Sequence, residues 1–199
     1  MNKNNYVKMI SSPFETFREI LSLESEKEIY VLMAAGGAIN AIGRAATQNY
    51  CDDKSLMSVL LTATLAGGLF GFISYFIFGG LLAWTGKWLR GTADMNKMTV
   101  VLSWSVIPLI ISFLFTVLEI LITGDAIFKS YPELSDSQWL FLKAVDYIKI
   151  GLLLWQISLI VIGISIAQNF TIGKAILNFI LPFVVIVVPI MILVLVFKH

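Results

Sequence analysis

The chain has 199 residues, of which 58% are hydrophobic and 14% charged, and its formal net charge is +1. Soluble domains contain about 25% charged residues, so this composition excludes an ordinary soluble domain, and the small net charge gives no basis for nucleic-acid binding. The single cysteine, Cys51, excludes an internal disulfide, and the single histidine, His199, is the last residue, which argues against a histidine-based catalytic or metal site.

The first predicted element is a short amphipathic helix at residues 11–24. Ser12 suits the N-cap, Pro13 suits the first helical position, and Glu15 completes a capping box. Such a helix lies in the headgroup plane or docks on a bundle, and a partner-binding helix is the alternative. The polar segment before it has no short apolar core with a small-residue cleavage site, so we expect no cleavable signal peptide.

Five long apolar segments follow, and each predicts a transmembrane helix. The predicted spans lie at about 29–47, 56–84, 98–123, 145–167 and 175–197. The expected fold class is therefore all-α. It is a polytopic membrane helical bundle of five transmembrane helices with a short N-terminal amphipathic helix, forming one transmembrane domain over residues 1–199.

Small residues and prolines set the expected packing and shape of these spans. The first span is rich in alanine and glycine, which let membrane helices approach closely, so it should lie inside the bundle. Gly67 and Gly71 in the second span form a GxxxG pair, which suits either internal packing or dimerisation. Pro108 in the third span, with Pro182 and Pro189 in the fifth, predicts bent helices.

A basic turn joins the second and third spans, and tryptophans lie on both sides of it. Its charged residues are Lys87, Arg90, Asp94 and Lys97, and the tryptophans are Trp84, Trp88 and Trp104. Tryptophan beside cations at the end of an apolar segment is typical of a membrane–water interface. The side that holds this turn and the N-terminus has eight of the 14 lysines and arginines. This bias predicts a cytoplasmic N-terminus and an external C-terminus.

The same turn contributes to a candidate cytoplasmic face for anionic lipid or a protein partner. The residues of this face are Lys87, Arg90, Asp94 and Gln168. An ordinary positive-inside flank, without specific binding, is the simpler explanation of the same cations.

A second group of polar residues is predicted at membrane depth, near the outer ends of the spans. Its members are Asn40, Arg44, Glu119, Asp146 and Lys149. A charge buried in lipid costs at least about 2.5–3.5 kcal/mol, so we expect these charges to pair. Arg44 is expected to pair with Glu119 across helices, and Asp146 with Lys149 along one helix. Such pairs either hold the bundle together or line a polar cavity for a small ion or polar solute.

Several segments follow a recognisable order. They are the start at Pro13, Phe14 and Phe17, the glycine-rich second span, the segment Gly86–Gly91 (GKWLRG) and the segment Ser103–Pro108 (SWSVIP). This order, over about residues 13–196, resembles the Yip family in its compact bacterial form. Yip proteins are five-span membrane proteins named for interaction with Ypt/Rab GTPases. The resemblance implies an all-helical bundle with a cytoplasmic N-terminus in a bacterial inner membrane. Eukaryotic members are linked to vesicle traffic between the endoplasmic reticulum and the Golgi.

Two functional hypotheses follow. The resemblance, and the absence of catalytic signatures such as HExxH and GxSxG, favour a non-enzymatic scaffold or organiser that acts through protein or lipid contacts. Its expected partners are the lipid bilayer, anionic lipid, and a protein partner or a second copy of the chain; no nucleic acid, cofactor or metal is expected. The alternative is a small transporter or channel with a polar cavity around Arg44 and Glu119. An unrecognised enzyme is the third possibility.

Overall fold

The computed structural model describes residues 5–22 and 26–197. Within these ranges the regular structure is entirely helical. Its α-helices are α1 (Asn5–Ser11), α2 (Pro13–Ser22), α3 (Glu26–Thr47), α4 (Leu56–Trp88), α5 (Met95–Trp104), α6 (Ile107–Thr123), α7 (Asp136–Gln168) and α8 (Ile172–Phe197). Short 3-10 helices at Tyr50–Asp52 and Ala126–Phe128 lie in the two longest loops. The last two residues of the predicted N-terminal helix, 23 and 24, and the terminal residues Lys3, Lys198 and His199 lie outside the described residues.

Five helical segments of the described chain are long and apolar enough to cross a membrane. They are Lys27–Thr47, Leu56–Trp88, Met95–Thr123, Asp136–Gln168 and Ile172–Met191. The predicted fold class, a polytopic all-α bundle of five spans, is confirmed. Since α4 and α7 each have 33 residues, each is about 50 Å long at 1.5 Å per residue. The hydrocarbon core of a bilayer is only about 30 Å thick. The extra length of each helix therefore either extends beyond the interface or is accommodated by tilting of the helix.

Pro108 divides the third span into two helices. The α5 helix ends at Trp104 and α6 begins at Ile107, with Pro108 in its first turn. Proline has no backbone N–H, so an uninterrupted helix would lack the bond from position 108 to Trp104. In the break, the Val106 N–H donates to the Ser103 carbonyl at 3.2 Å, and α6 starts with the Ile110 N–H on the Val106 carbonyl at 3.0 Å. The predicted bend is therefore a short break in the helix.

The α8 helix, by contrast, runs from Ile172 to Phe197 through both Pro182 and Pro189. Each proline leaves one carbonyl of the preceding turn without its usual donor. The predicted bend of this helix stays a prediction.

The chain divides into two compact units. Unit 1 comprises residues 1–25, 75–102 and 159–199, and unit 2 comprises residues 26–74 and 103–158. Helices α4 and α7 each contribute one part to each unit. The expectation of one domain over residues 1–199 stays a prediction.

In unit 2, glycines let α3 and α4 approach closely. A Cβ added to Gly71 would lie 2.8 Å from the Gly37 Cα, and one added to Gly67 would lie 2.7 Å from the Gly37 carbonyl oxygen. Neither distance is possible for a real Cβ, so larger side chains would push the helices apart. The predicted GxxxG pair therefore serves internal packing. An apolar cluster of this unit contains Ile42, Ala45, Cys51, Val59 and Phe128.

In unit 1, helix α2 is docked through its apolar side. Phe17 and Ile20 are buried, and the docked alternative for the N-terminal helix is supported. A Cβ on Gly163 of α7 would lie 3.1 Å from the Phe17 ring and 3.1 Å from a methyl group of Val101 on α5. The missing side chain at Gly163 thus provides the space that Phe17 and Val101 occupy.

Candidate functional site

Two hairpin turns of unit 1 are joined by side-chain amides. The α4–α5 turn covers residues 89–94 and the α7–α8 turn covers residues 169–171, and we call them together the paired turns. The Ala93 N–H donates to Gln168 Oε1 at 2.9 Å, and Asn169 Nδ2 donates to Thr92 Oγ1 at 3.2 Å. Because Gln168 is only 1% exposed, its bond to the neighbouring turn is shielded from competing water.

Glycines make room for the buried amide of Gln168. A Cβ on Gly91 would lie 2.7 Å from Gln168 Cδ and 2.7 Å from the Phe170 ring. One on Gly86 would lie 2.8 Å from Gln168 Cδ. The two glycines that bound the GKWLRG segment are thus required by the close approach of Gln168.

Both helices that lead into the paired turns end in the same hydrogen-bond pattern. At the end of α4, the Gly91 N–H donates to the Gly86 carbonyl at 2.9 Å and the Arg90 N–H to the Lys87 carbonyl at 3.0 Å. This is a Schellman motif, whose left-handed position is usually glycine. Here Arg90 occupies it with φ 66°. At the end of α7 the equivalent position is Asn169, with φ 56°, a residue that tolerates this conformation better.

Exposed cations lie on the helices and turns that meet at this end of unit 1. They are Lys87, Arg90, Lys97 and Lys174, which we call the cationic turn face. Among the described residues no ion pair joins any of these four to an acid. Asp94 is also exposed, but its carboxylate accepts the Lys97 N–H at 2.9 Å and so caps the first turn of α5.

Two tryptophans border the cationic turn face on α4. Trp84 and Trp88 are about half exposed, and their rings meet edge-on with centroids 4.8 Å apart. Side chains of this kind favour the interfacial region of a bilayer, where an apolar ring and a polar N–H both find suitable surroundings.

A further buried amide lies behind the paired turns. Asn178 of α8 is fully buried, and its Nδ2 donates to Thr85 Oγ1 at 2.8 Å and to the Leu82 carbonyl at 3.1 Å. These bonds join α8 to α4 within unit 1. Its Oδ1 atom has no hydrogen-bond partner within the described part of the chain.

The structure changes the predicted face in one respect. Lys87, Arg90 and Asp94 are exposed as expected, but Gln168 is buried and supports the turns from inside. A glutamine at the end of an apolar segment is expected to face water, and the close approach of Gly86 and Gly91 explains why Gln168 does not. Thr85 and Asn178 were not predicted to bond, although an asparagine inside an apolar span is itself a signal of helix–helix hydrogen bonding.

The predicted group of residues at membrane depth does not come together as a whole. In unit 2, Glu119 is 3% exposed and forms an ion pair with Lys149. The expected pairs of Arg44 with Glu119 and of Asp146 with Lys149 are therefore wrong. Arg44 and Asp146 are both exposed, whereas Glu119 is buried and its partner is Lys149.

Asn40, the remaining member of that group, is exposed. Its Nδ2 donates to the Gly36 carbonyl one turn earlier in α3, at 2.9 Å. This local bond satisfies the amide within its own helix, so Asn40 is not part of a shared polar site.

The two loops of unit 2 are also bonded to each other. Asp52 accepts the Ser130 N–H at 3.0 Å and the Ser130 hydroxyl at 2.5 Å, and these bonds hold the pKa of Asp52 below its usual range. Lys129 pairs with Asp125 at 2.8 Å, which raises the pKa of Lys129. Burial raises the pKa of the neighbouring Cys51 thiol, which makes it a poor nucleophile.

Over residues 5–22 and 26–197, no group of three or more histidine, cysteine, aspartate or glutamate side chains could hold a metal ion. The geometry of the paired turns instead provides a supported, positively charged surface beside the exposed side chains of Trp84 and Trp88.

A family comparison supports the assignment that the sequence pattern indicated. The model of the Yip1 domain matches residues 7–193, nearly the whole chain. No curated protein and no solved structure matches it. With five helices able to cross a membrane and a domain match of this extent, the chain belongs to the Yip family of integral membrane proteins.

Proposed function

We propose that this protein is a non-enzymatic membrane organiser that binds anionic lipid headgroups at the cationic turn face. The observation that supports this best is the presence of four exposed cations without an ion pair in the described chain, around turns that buried amides hold in place. The Yip family is not known as an enzyme family, which agrees with a binding role.

The proposed location is a bacterial inner membrane, with the N-terminus and the cationic turn face in the cytoplasm and the C-terminus outside. The larger number of lysines and arginines on the N-terminal side supports this orientation. In that orientation the face meets the leaflet whose surface potential is negative.

The expected strength of this binding follows from electrostatics. Each lysine or arginine near an anionic surface contributes about 1 kcal/mol, so four contribute about 4 kcal/mol before screening. Turns that are already held in place add affinity, because they need not be ordered at the moment of binding. Arg90 supports a specific role, since it occupies a left-handed position that glycine would occupy with less strain.

A matched pair of double variants tests the proposal. The purified protein is reconstituted with phosphatidylglycerol and phosphatidylcholine, and retained lipids are counted by native mass spectrometry. We expect Lys87→Gln/Lys174→Gln to reduce the preference for phosphatidylglycerol by up to about 30-fold, the equivalent of about 2 kcal/mol.

The control variant Lys54→Gln/Lys143→Gln removes two exposed lysines of unit 2 and should keep the preference. Equal losses in the two variants would contradict a dedicated face. An unchanged preference together with loss of a co-purifying protein would instead favour a protein partner.

The alternative of an ion or solute path around Arg44 and Glu119 is not favoured. It required the two side chains to line one cavity, but Glu119 is paired with Lys149 and Arg44 is exposed.

A further inference from the structure

Residues 5–22 of unit 1 form a helical hairpin, α1 followed by α2, with two apolar sides. Met9, Phe17 and Ile20 form the buried side. Three large apolar side chains remain outside: Val7 is 63% exposed, Ile10 51% and Phe14 45%. We call these three the outer apolar face. The α1 helix was not anticipated from the sequence, and most of this face belongs to it.

The contact at Gly163 fixes how deep the hairpin lies along the bundle. Phe17 packs beside Gly163 of α7 and Val101 of α5. Gly163 is five residues before the end of α7 at Gln168, and Val101 is six residues after the start of α5 at Met95. At 1.5 Å per residue these positions are about 7.5 and 9 Å from the respective helix ends.

Those two helix ends lead into the paired turns and their exposed cations. The anchor of the hairpin therefore lies one to two helical turns on the membrane side of a polar, charged boundary. Helices that lie in the bilayer interface bury their apolar face about 5–10 Å into the headgroup and acyl boundary. The depth of Phe17 falls within this range.

From this depth we propose that the α1–α2 hairpin is an interfacial lipid-binding element. The occupant of the outer apolar face is the acyl-chain boundary of the leaflet that meets the cationic turn face. A soluble partner would have to reach below the headgroups to cover the same side chains. The inference goes beyond headgroup binding by the cations, and it holds whichever side of the membrane that leaflet faces.

The charged residues of the hairpin fit this placement. Lys8 forms an ion pair with Glu19 across the two helices at 3.7 Å, and both are about half exposed. Arg18 is exposed as well. These long side chains can extend to the headgroup level while the apolar side chains remain in the acyl boundary. The hairpin would thus occupy one leaflet only, next to the spans.

Site-directed spin labelling measures this depth directly. Cys51 is replaced by alanine, and single cysteines are introduced as Val7→Cys, Ile10→Cys and Phe14→Cys for nitroxide labelling in nanodiscs. Collision rates with oxygen and with a water-soluble nickel chelate then report depth. Leu65→Cys, on the exposed apolar surface of α4, and Tyr131→Cys, in a loop and 94% exposed, provide the lipid and water references.

We expect all three labels to collide with the nickel chelate several-fold less often than the label at position 131. Their collisions with oxygen should exceed those of that water reference and remain below those at position 65. Collision rates equal to the water reference would overturn the proposal, because the face would then be in solvent. Low rates with both reagents would also overturn it, because protein would then cover the face.

A second set of labelled proteins controls for a fold defect caused by the alanine at position 51. The native Cys51 is retained, since its buried thiol reacts slowly, and labelling is kept brief. The two sets should give the same depths. Phe17→Ala, which removes the anchor but not the outer face, should broaden the depth distribution at position 10; an unchanged distribution would show that Phe17 does not set the depth.

Discussion

Two groups of buried polar side chains in the described part of the chain differ in charge and in what they bind. In unit 1, the neutral amides of Gln168 and Asn178 bind backbone and hydroxyl groups, and the charges lie outside as exposed cations. In unit 2, the charge itself is buried, and Glu119 is neutralised by Lys149. Neutral amides can therefore support a surface whose cations remain free to attract anions. A buried ion pair, by contrast, stabilises the helices but presents no net charge at the surface.

This comparison is tested most strongly by leaving one charge of unit 2 unpaired. Lys149→Met should destabilise the protein by about 3–5 kcal/mol, because a carboxylate buried without a partner loses its solvation. Unfolding by denaturant in detergent measures the change. The double variant Glu119→Gln/Lys149→Met should recover most of the loss, and Lys143→Met, at an exposed position of the same helix, should have little effect. A double variant as unstable as the single one would contradict the pairing.

The support of unit 1 is tested by filling the space beside Gln168. Gly91→Ala should cost about 1–3 kcal/mol, because the new methyl group overlaps Gln168 and Phe170. Gly173→Ala is the matched control, since no atom lies within 4 Å of the added Cβ. The midpoint of thermal unfolding should therefore be lower for Gly91→Ala than for Gly173→Ala. Equal shifts would mean that the close approach at Gly91 is not required.

A smaller effect with two opposite readouts is expected at Arg90. Arg90→Gly should stabilise the fold by about 1 kcal/mol, since glycine adopts a positive φ without strain. The same change should weaken binding to anionic lipid, because it removes one cation. Thermal unfolding and lipid binding are measured on one preparation. Higher stability without weaker binding would separate Arg90 from the proposed function.

The smallest expected effect is the pH dependence of the loops in unit 2. Hydrogen bonds from Ser130 lower the pKa of Asp52 below its ordinary value of 3.8. These hydrogen bonds therefore stabilise the folded state fully at pH values above the pKa of Asp52 in the unfolded chain. The stabilisation is lost as the pH falls through the lower pKa that Asp52 has in the folded protein. Hydrogen exchange at Ser130 should stay protected at neutral pH and lose protection only in strong acid. Asp52→Asn should remove that acid transition; a transition near neutral pH would contradict the assignment.

The sequence predicted the elements better than their partners. Hydropathy and length located the five spans, because the backbone N–H and C=O groups of each membrane helix must form their hydrogen bonds within that same segment. The partner of Glu119 could not be predicted in this way, since it depends on which long side chain reaches it across helices. Gln168 was misplaced for a related reason: its burial depends on two glycines of another helix end, far away in the chain. The seven-residue α1 was missed because so short a segment has no clear helical pattern.

The most direct test of the central claim is the lipid preference of a variant in which the whole cationic turn face is neutral. Lys87, Arg90, Lys97 and Lys174 are all replaced by glutamine, and the variant is compared with the native protein in bilayers that contain spin-labelled phosphatidylglycerol or phosphatidylcholine. The native protein should immobilise more phosphatidylglycerol, and added salt should reduce the difference because it screens exposed charges. In the neutral variant we predict that most of the difference between the two lipids, and most of its dependence on salt, is lost. A neutral variant that prefers phosphatidylglycerol as strongly as the native protein does would contradict the proposal that this face binds anionic lipid.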